Sequence, residues 1–377
     1  MPWLGTKGIL KAAVHDSLSQ LQLLLARRGL DLFLVGQPEN RRYLSGFTAL
    51  DHGISESSGA LLIPRQGRPL LLTDFRYQLQ AEREAAGCDL LLYRRGLPAL
   101  LKTLLPKFSA RSLAFEPRYC LYSQHLALQR LCQSLGVRLV ALDGEIERRR
   151  QVKQAQELAA IRRSVALNEA VFQAVYPSLR PGQSEIEIAL ALENAMRIKG
   201  AERPSFDTIV AGGPNAALPH AIPSHRPLAT GEPVIIDMGL VLDGYCSDMT
   251  RTIVLGTPAE RTVSLFRLVR RAQLAGLAAL RAGVSGREVD LAARRVINEA
   301  GHGPDFGHGL GHGVGLAVHE APSLSPRNRK LLKAGMVVTV EPGVYLKGWG
   351  GIRLENMAVV TDTDHEPLNH DSTFLDL

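Results

Sequence analysis

The sequence contains few cysteines and no long uninterrupted apolar run. Its 377 residues include four cysteines, none in a CxxC pair, which argues against a zinc ribbon, a redox motif or a disulfide framework. Charged residues interrupt even the apolar run at positions 21–35, so no segment is long enough to cross a bilayer. No segment has the charged and then apolar organisation of a signal peptide. We therefore predict a soluble, cytoplasmic protein whose cysteines are reduced.

The sequence also lacks a concentrated tract of either charge. Forty-four basic residues stand against thirty-seven acidic ones, and the basic residues are scattered in short runs such as Arg148–Arg150. Nucleic-acid binding usually depends on a basic patch or stripe. This distribution predicts neither a nucleic-acid partner nor a membrane partner.

The chain length and the pattern of apolar runs predict two domains. Residues 1–143 alternate helix-like stretches with six short aliphatic runs, which is typical of a sheet covered by helices in an α/β domain. A charged, helix-favouring segment, 144–163, is predicted as a linker helix that leads into a second domain, 164–377.

The second domain contains an internal repeat. Residues 179–200 and 280–301 share Leu, Gly and Ser at their starts and end on Gly, all at one constant offset. Each copy has a Ser-x-x-Glu capping box, Ser184/Glu187 and Ser285/Glu288, followed by a helix-like pattern. Two unrelated helices with common cap chemistry would be the alternative explanation. We favour a duplicated unit of helix and antiparallel hairpin, and hence an α+β fold.

Each copy is followed by a predicted hairpin that carries two acids. Asp237 and Asp248 lie in β-rich runs joined by an Asp-Gly turn, and Glu341 and Glu355 lie in runs joined by a glycine-rich turn. Buried like charges repel unless a proton or a cation lies between them. Any one of these acids could instead form an ordinary salt bridge or cap. Their symmetric placement predicts a cation site, and Arg353, two residues from Glu355, is predicted to orient a carboxylate.

The stretch GHGLGHGVGLAVHE, residues 307–320, is the most unusual in composition. Its His-x3-His spacing lacks the glutamate of a zincin helix, and its glycines disfavour a helix. It also lacks the Lys-Ser or Lys-Thr of a phosphate loop. Its end, VGLAVHE, alternates apolar and small residues and is predicted as a strand that enters the core, with glycines permitting close backbone approach.

Five motifs together resemble the prolidase and aminopeptidase P branch of the pita-bread metallopeptidases. They are FDTIVAGGPNAALPHA, IIDMGLVLDGYCSDMTRT, GHGLGHGVGLAVHEAP, GMVVTVEPGVY and GIRLENMAVV, and NRRYLSGFT and LLTDFRYQLQAE resemble the noncatalytic domain of the same branch. The resemblance covers essentially the whole chain. It implies a C-terminal pita-bread catalytic domain and a smaller N-terminal creatinase/prolidase-type domain in a homodimer.

The resemblance implies a centre of two divalent ions held by five side chains. Asp248 and Glu355 would bridge both ions, Asp237 would bind one, and His312 with Glu341 would bind the other. Oxygen-rich ligands with one imidazole suit Mn²⁺ or Co²⁺, with Zn²⁺ as an alternative. A hydroxide generated at the two ions would attack the scissile carbonyl.

Further residues match positions around the substrate in the same family. His220, His308 and His319 match substrate-side histidines that are expected to take part in catalysis, and each could instead be a structural histidine. Tyr345 and Arg353 match residues that support the metal ligands, and Glu341 is expected to transfer the proton to the leaving amine as well. A short peptide would lose its N-terminal residue, preferentially before proline.

One departure from the family bears on the substrate. Many proline-specific members have Arg after HEAP, whereas this chain has Ser323. The lead prediction is an Xaa-Pro dipeptidase; the alternatives are an aminopeptidase acting on longer peptides, a dipeptidase selective for a first residue such as Met, and a binding module or metal-free hydrolase. The loop with Asp51 and His52 resembles prolidase loops that reach a neighbour's active site, although it could be an ordinary polar turn.

Overall fold

A computed structural model describes residues 6–372, with side chains described from residue 17 onward. The chain divides into two compact units between Arg149 and Arg150. The segment predicted as one linker helix over 144–163 contains two helices, α6 (Glu145–Gln151) and the start of α7 (Ala155–Val175), separated by residues 152–154. The single-helix expectation was therefore wrong. Gln154 breaks the helix because it adopts an extended backbone and caps α7.

The N-terminal unit is a six-stranded sheet with helices on both faces. All six predicted aliphatic runs form strands, in the order β4-β3-β2-β1-β5-β6. Strand β1 pairs parallel with β5 and antiparallel with β2. The elements of this part of the chain are α1 (Thr6–Arg27), β1 (Leu32–Val35), α2 (Pro38–Ser45), β2 (Ala60–Pro64), β3 (Leu70–Thr73), α3 (Gln78–Glu84), β4 (Asp89–Leu92), α4 (Leu97–Lys107), β5 (Ser112–Phe115), α5 (Tyr122–Ser134), β6 (Arg138–Ala141) and α6 (Glu145–Gln151).

The two faces of this sheet have separate apolar cores. Leu44 of α2 packs in one core with Phe33 and Val35 of β1. Leu128 of α5 packs in the other core with Leu34, whose side chain points to the opposite face. The chain therefore leaves β1 towards one face of the sheet and leaves the neighbouring β5 towards the other.

The C-terminal unit packs helices against antiparallel strands around one large core. Two of its sheets have the orders β12-β9-β8 and β14-β13-β15-β18-β19. Its elements are α7 (Ala155–Val175), α8 (Glu185–Ile198), β7 (Arg203–Pro204), β8 (Ile209–Gly212), β9 (Pro233–Met238), β10 (Leu240–Leu242), β11 (Tyr245–Cys246), β12 (Met249–Val254), α9 (Glu260–Ala279), α10 (Gly286–Glu299), β13 (Gly311–Gly313), β14 (Glu320–Leu324), β15 (Val337–Val340), β16 (Gly343–Leu346), β17 (Gly350–Arg353), β18 (Asn356–Val360) and β19 (His365–Pro367).

The predicted repeat corresponds to matching structure in the two halves of this unit. Ser184 caps α8 and Ser285 caps α10, and each forms a complete capping box with the glutamate three residues later. Both serines also form an isolated β-bridge with a downstream segment. Helix, bridge and hairpin thus recur in the same order, and the duplicated helix-plus-hairpin prediction is confirmed.

Each half carries two nested strand pairs. In the first half β9 pairs with β12, and the shorter β10 and β11 turn at Asp243 and Gly244, both with positive φ, as the Asp-Gly signal predicted. In the second half β15 pairs with β18, and β16 pairs with β17. The outer pair is therefore β9 with β12 in the first half and β15 with β18 in the second half. The four predicted acids lie on these strands or directly next to them.

The segment after His312 differs from its prediction. Residues 314–319 form a loop between β13 and β14, so the predicted strand over VGLAVHE was wrong. A Cβ on Gly315 would lie 2.5 Å from Glu320 Oε1. The loop is therefore folded against a charged side chain of its own unit, a tertiary contact that apolar alternation cannot indicate.

Within residues 6–372, no helix is both long and apolar enough to cross a membrane.

Candidate metal centre

The first pair of predicted acids lies on the β9/β12 strand pair. Asp237 belongs to β9 and faces Thr250 of β12 in register. Asp248 lies one residue before β12 and is almost fully buried. The Asp-Gly hairpin between the strands brings the two acids, eleven positions apart in sequence, to one region of the sheet.

The second half contributes the remaining predicted ligands to the same region. Glu341 follows β15, Glu355 precedes β18, and His312 lies on β13, which pairs with β15. The backbone N–H of Glu355 donates to the carbonyl of Thr250, 3.1 Å away, and thereby joins the second hairpin to the first. Ligand candidates from both halves therefore meet at the junction of the two hairpins.

Three of the ligand candidates could share an ion directly. Ligand atoms of Asp248, His312 and Glu355 all lie within 4.8 Å of one another. His312 Nε2 also lies 3.4 Å from Glu341 Oε1 and 3.6 Å from Asp248 Oδ2. These separations place the imidazole between an acid from each half of the unit.

Three acids of this cluster are protonated more easily than ordinary carboxylic acids. Burial, followed by repulsion from Glu355, raises the pKa of both Asp248 and Glu341 well above its usual range. Burial and the charge of Asp237 raise the pKa of Glu355 to about 8. Burial lowers the pKa of His312 to about 4, so the imidazole is neutral and free to act as a ligand.

The charge balance of the cluster fits a group of divalent cations. Arg353 pairs with Asp237, and Arg251 pairs with Asp371. Asp248, Glu341 and Glu355 then have no arginine or lysine paired with them among the described ion pairs. In addition, Asp237 Oδ1 and Glu355 Oε1 are buried without a hydrogen-bond partner. Unpaired carboxylate oxygens beside a neutral imidazole are a donor set that divalent metal ions would satisfy.

Arg353 orients the cluster from one side. Its Nη2 donates to Asp237 Oδ2 at 2.6 Å and its Nε donates to Thr250 Oγ1 at 3.2 Å. Thr250 in turn donates to Glu355 Oε2 at 2.7 Å. The structure thus places Arg353 in direct contact with the carboxylate of Asp237, and the predicted orienting role stays a prediction.

Tyr345 extends this network to the predicted histidines. Its hydroxyl accepts from Arg353 Nη1 at 3.0 Å and lies 2.9 Å from His308 Nε2. His308 Nδ1 lies 2.7 Å from the carbonyl of Gly309, so both ring nitrogens are engaged. Burial lowers the pKa of His308 to about 4. His308 is thus a neutral imidazole whose ring is held in place by Tyr345 and Gly309.

His220 and His319, in contrast, are exposed at the cluster. The rings of His319 and His312 are 4.3 Å apart, and His220 is close enough to contribute to the lowered pKa of His319 after burial. Arg353 Nη1 donates to the carbonyl of Pro219, next to His220, at 3.0 Å. Two exposed imidazoles therefore border the buried acids.

The three predicted substrate contacts lie in different settings. Ser323 is exposed on β14, which pairs with the strand that carries His312. His52 is exposed in a loop of the N-terminal unit. Asp51 is directed inward in that unit, where its side chain is 2 % exposed and pairs with Arg41 at 2.8 Å. That pairing gives Asp51 a structural role, and we set aside the expectation that it contacts substrate.

Two threonines that were not predicted from the sequence contact the ligand candidates. Thr250 bonds Glu355, as described above, and Thr339 donates to Glu341 Oε1 at 3.3 Å while accepting from the backbone N–H of His312 at 3.0 Å. Each lies two residues from a predicted ligand, Asp248 or Glu341. Residues two apart on a strand point to the same face, so this spacing could have predicted that the threonines lie on the side of the ligands.

A duplicated α+β unit whose hairpins converge on four carboxylates and one imidazole defines a metal-dependent hydrolase of the pita-bread class. The chain belongs to metallopeptidase family M24, whose model matches residues 159–362. The creatinase/prolidase N-terminal domain matches residues 18–152. The resemblance to the prolidase and aminopeptidase P branch is thereby confirmed.

Relatives and solved structures of similar architecture match nearly the full chain. An uncharacterized peptidase of Bacillus subtilis, YqhT, is 33% identical over 94% of this chain and 97% of its own length. The Xaa-Pro dipeptidase structure from Bacillus anthracis is 35% identical, with a TM-score of 0.87 over 95% of this chain and 98% of that one. The X-Pro aminopeptidase structure from Thermotoga maritima is 36% identical, with a TM-score of 0.82 over 91% of this chain and 96% of that one.

Proposed function

We propose that this metallopeptidase is an Xaa-Pro dipeptidase that uses two divalent ions, Mn²⁺ or Co²⁺, with Zn²⁺ as the alternative. The observation that best supports this proposal is that Asp248, Glu341 and Glu355 converge around His312. In the same cluster, two buried carboxylate oxygens have no hydrogen-bond partner. The named Xaa-Pro dipeptidases of Bacillus anthracis and Pyrococcus horikoshii, the latter 30% identical over 92% of this chain, support the substrate class.

The five proposed ligands are Asp237, Asp248, His312, Glu341 and Glu355. Bound ions would supply Lewis-acid polarisation of the scissile carbonyl and a water of lowered pKa. Arg353 and Thr250 hold Asp237 and Glu355 in fixed orientations through direct hydrogen bonds. Such supporting contacts keep ligand atoms in place and so limit the reorganisation that binding requires.

The chain's own groups also account for proton movement and orientation of the peptide. Glu341, a proposed ligand beside the position of the attacking water, is suited to accept a proton and pass it to the leaving amine. The exposed His220 and His319 would donate hydrogen bonds to the carbonyl oxygen as negative charge develops there. His308 would act on the substrate only indirectly, because its two ring nitrogens are hydrogen-bonded to the hydroxyl of Tyr345 and the carbonyl of Gly309.

The substrate is proposed to be a short peptide with proline in the second position. Proline has no N–H and a fixed ring, so the site must accommodate the imide bond without a backbone donor. Ser323 is exposed on β14 and offers no positive charge for a C-terminal carboxylate. An aminopeptidase acting on longer peptides is therefore the second candidate, and the aminopeptidase structure from Thermotoga maritima favours it. A dipeptidase that selects the first residue, such as Met, is the third.

Hydrolysis of four peptides separates these candidates. Metal-stripped protein would be assayed with Met-Pro, Leu-Pro, Met-Ala and Leu-Pro-Pro, before and after addition of Mn²⁺, Co²⁺ or Zn²⁺. Cleavage restored by metal and confined to Met-Pro and Leu-Pro supports the dipeptidase. Cleavage of Leu-Pro-Pro would reassign the protein to the aminopeptidases, and cleavage of Met-Ala would remove the proline requirement. No cleavage with any metal would overturn the peptidase assignment.

We also propose a cytoplasmic homodimer. Four free cysteines are compatible with a reducing compartment, and the family resemblance supports the dimer. The exposed loop residue His52 is proposed to reach substrate in the partner's site. Sedimentation equilibrium tests the dimer, and His52→Ala in an active dimer tests the loop: an unchanged KM for Leu-Pro would remove His52 from the substrate contacts.

A further inference from the structure

The N-terminal unit contains a cavity of about 340 Å³ that lies apart from the acid cluster in sequence and in structural unit. The cavity lies beyond the carboxyl ends of β1 and β5, where Gly36 and Glu116 line it. Strand β1 continues into α2 on one face of the sheet, and β5 continues towards α5 on the other. In open α/β sheets, such a divergence between parallel strands is the usual place for a ligand.

The size and lining of the cavity suit a small organic molecule. Small-molecule sites usually measure a few hundred Å³ and are mostly apolar with a few polar groups. Here the walls are formed mainly by aromatic and aliphatic side chains, which include Tyr93, Phe115, Tyr119, Leu34, Leu97 and Leu128. A flat ring or a branched aliphatic group would bury apolar surface against them.

The charge of the lining selects further among such molecules. Glu116 lines the cavity, and no lysine, arginine or histidine is among its described lining residues. The guanidinium of Arg41 lies behind Gly36 and Gly59 of the wall, where it is paired with Asp51. A carboxylate in the ligand would therefore face a carboxylate in the wall without a compensating cation. Anionic ligands are disfavoured on that ground, whereas a ligand ammonium group would find the opposite charge.

Glu116 is held rigidly by groups of its own unit. Its Oε2 accepts from the backbone N–H groups of Gly36 at 2.6 Å and Gln37 at 2.9 Å, and its Oε1 accepts from Asn40 Nδ2 at 2.6 Å. The residue is 7% exposed. Burial outweighs these hydrogen bonds and raises its pKa to about 7. A cation in the cavity would stabilise the ionised form that burial disfavours.

We propose that this cavity binds a small primary amine with an aromatic or branched apolar body and no carboxylate. The ammonium group lies near Glu116, and the apolar body packs against the rings and leucines of the wall. The site is independent of the proposed peptidase activity, because every residue that forms it belongs to the N-terminal unit.

Binding of matched probes to the metal-loaded full chain tests the charge preference. The probes are phenethylamine and 3-phenylpropionate, which have similar bodies and opposite charges, and binding is followed by calorimetry. Amines of this size reach dissociation constants of about 0.1–1 mM in good sites. We expect phenethylamine to bind in that range and 3-phenylpropionate to bind at least about tenfold more weakly, a difference of about 1.4 kcal/mol. Equal binding of the two probes, or no binding of the amine, would overturn the proposal.

A second measurement locates the bound amine. Hydrogen exchange with and without phenethylamine should show slower exchange in peptides that contain residues 34–37 and 115–128. Protection confined to peptides of the C-terminal unit would place the amine at the metallopeptidase site and overturn the proposal. This readout does not depend on peptidase activity, so failure of the proposed function and failure of this site are distinguishable.

Two variants on one helix provide the matched control. Ala127 lines the cavity on α5 and is exposed, so Ala127→Trp would fill the entrance without disturbing the core. Gln129 is exposed on the same helix and does not line the cavity. Ala127→Trp should weaken phenethylamine binding by at least about tenfold, whereas Gln129→Trp should leave it unchanged. Equal affinities in the two variants would exclude this cavity as the binding site.

Discussion

The N-terminal unit supplies the counter-charge for its buried Asp51, whereas the C-terminal unit gathers four carboxylates and pairs one of them with an arginine. Asp51 contacts Arg41 at 2.8 Å and also accepts from the backbone N–H of Ser58 at 2.8 Å. Among the acids of the metal centre, Asp237 alone has a described arginine partner, Arg353. A balanced pair serves the fold, and an unbalanced cluster requires ions or protons from solution.

This difference predicts that loss of metal affects the C-terminal unit selectively. Asp248, Glu341 and Glu355 repel one another when ionised, so bound ions should slow hydrogen exchange in the adjoining strands β12, β15 and β18. Peptides from residues 17–149 should exchange at the same rate with and without metal. The comparison would fail if chelation accelerated exchange equally in both units.

The largest expected effect is that of His312→Ala. The variant removes the only predicted imidazole ligand. A bound ion stabilises the transition state by several kcal/mol, so its loss should lower kcat/KM by at least about a thousandfold. The fold should persist, because His312 is not part of the apolar core. Metal content by atomic emission and circular dichroism provide the measurements. Full activity with normal metal content would remove His312 from the centre.

The second effect concerns the balanced pair. Asp51→Asn leaves the guanidinium of Arg41 buried without its counter-charge, which should destabilise the N-terminal unit by about 3–5 kcal/mol. Urea unfolding followed by hydrogen exchange in residues 17–149 measures the loss. The double variant Arg41→Met/Asp51→Leu removes both charges and should recover part of the stability. A single variant as stable as the unaltered protein would show that the pair carries little of the fold.

Much of this arrangement follows from local sequence patterns. The six aliphatic strands, the capping boxes of α8 and α10 and the Asp-Gly turn each depend on residues within a few positions of one another, so the sequence indicates them directly. The acids of the centre could be found because their placement repeats in the two halves of one domain. Knowledge of the family assigned their individual roles.

Other features depend on contacts between distant segments and leave no local pattern. The sequence does not indicate that Arg41 and Asp51 form a buried ion pair, because the fold alone brings their side chains together. The loop 314–319 resembles a strand in composition, but Gly315 packs against the carboxylate of Glu320. Glu320 is in turn held by Arg150 at 2.6 Å and Lys153 at 2.7 Å, more than 160 positions away.

The contacts of Glu320 with Arg150 and Lys153 show that the C-terminal unit also supplies counter-charge to a buried acid. Glu320→Gln weakens two charge-assisted hydrogen bonds and should cost about 2–3 kcal/mol of stability. Because residue 320 follows His319, the loop should also shift and lower kcat by about tenfold to a hundredfold. Metal content should stay normal, since no proposed ligand is changed. Glu366→Gln, which breaks an exposed pair with Arg162, is the control and should alter neither quantity. Normal kcat in Glu320→Gln would show that these contacts do not position His319.

The smallest expected effect concerns Glu116, an acid of the N-terminal unit whose buried carboxylate is stabilised by hydrogen bonds and not by an ion pair. Burial raises the pKa of Glu116 to about 7. Its folded-state pKa therefore exceeds the unfolded value, so the folded state binds more protons between these values and stability falls as pH rises through them. Integrated from pH 5 to pH 8, the loss is about 2 kcal/mol for this group.

Hydrogen exchange in residues 17–149, corrected for the intrinsic pH dependence of exchange, measures this loss. Glu116→Gln should abolish it, because the amide does not titrate. The variant should itself be less stable, because its amide nitrogen faces an N–H donor in either orientation. Phenethylamine should reduce the loss in the unaltered protein by stabilising the ionised carboxylate. A pH dependence that persists in Glu116→Gln would assign the titration to another group and weaken the distinction between balanced and unbalanced acids.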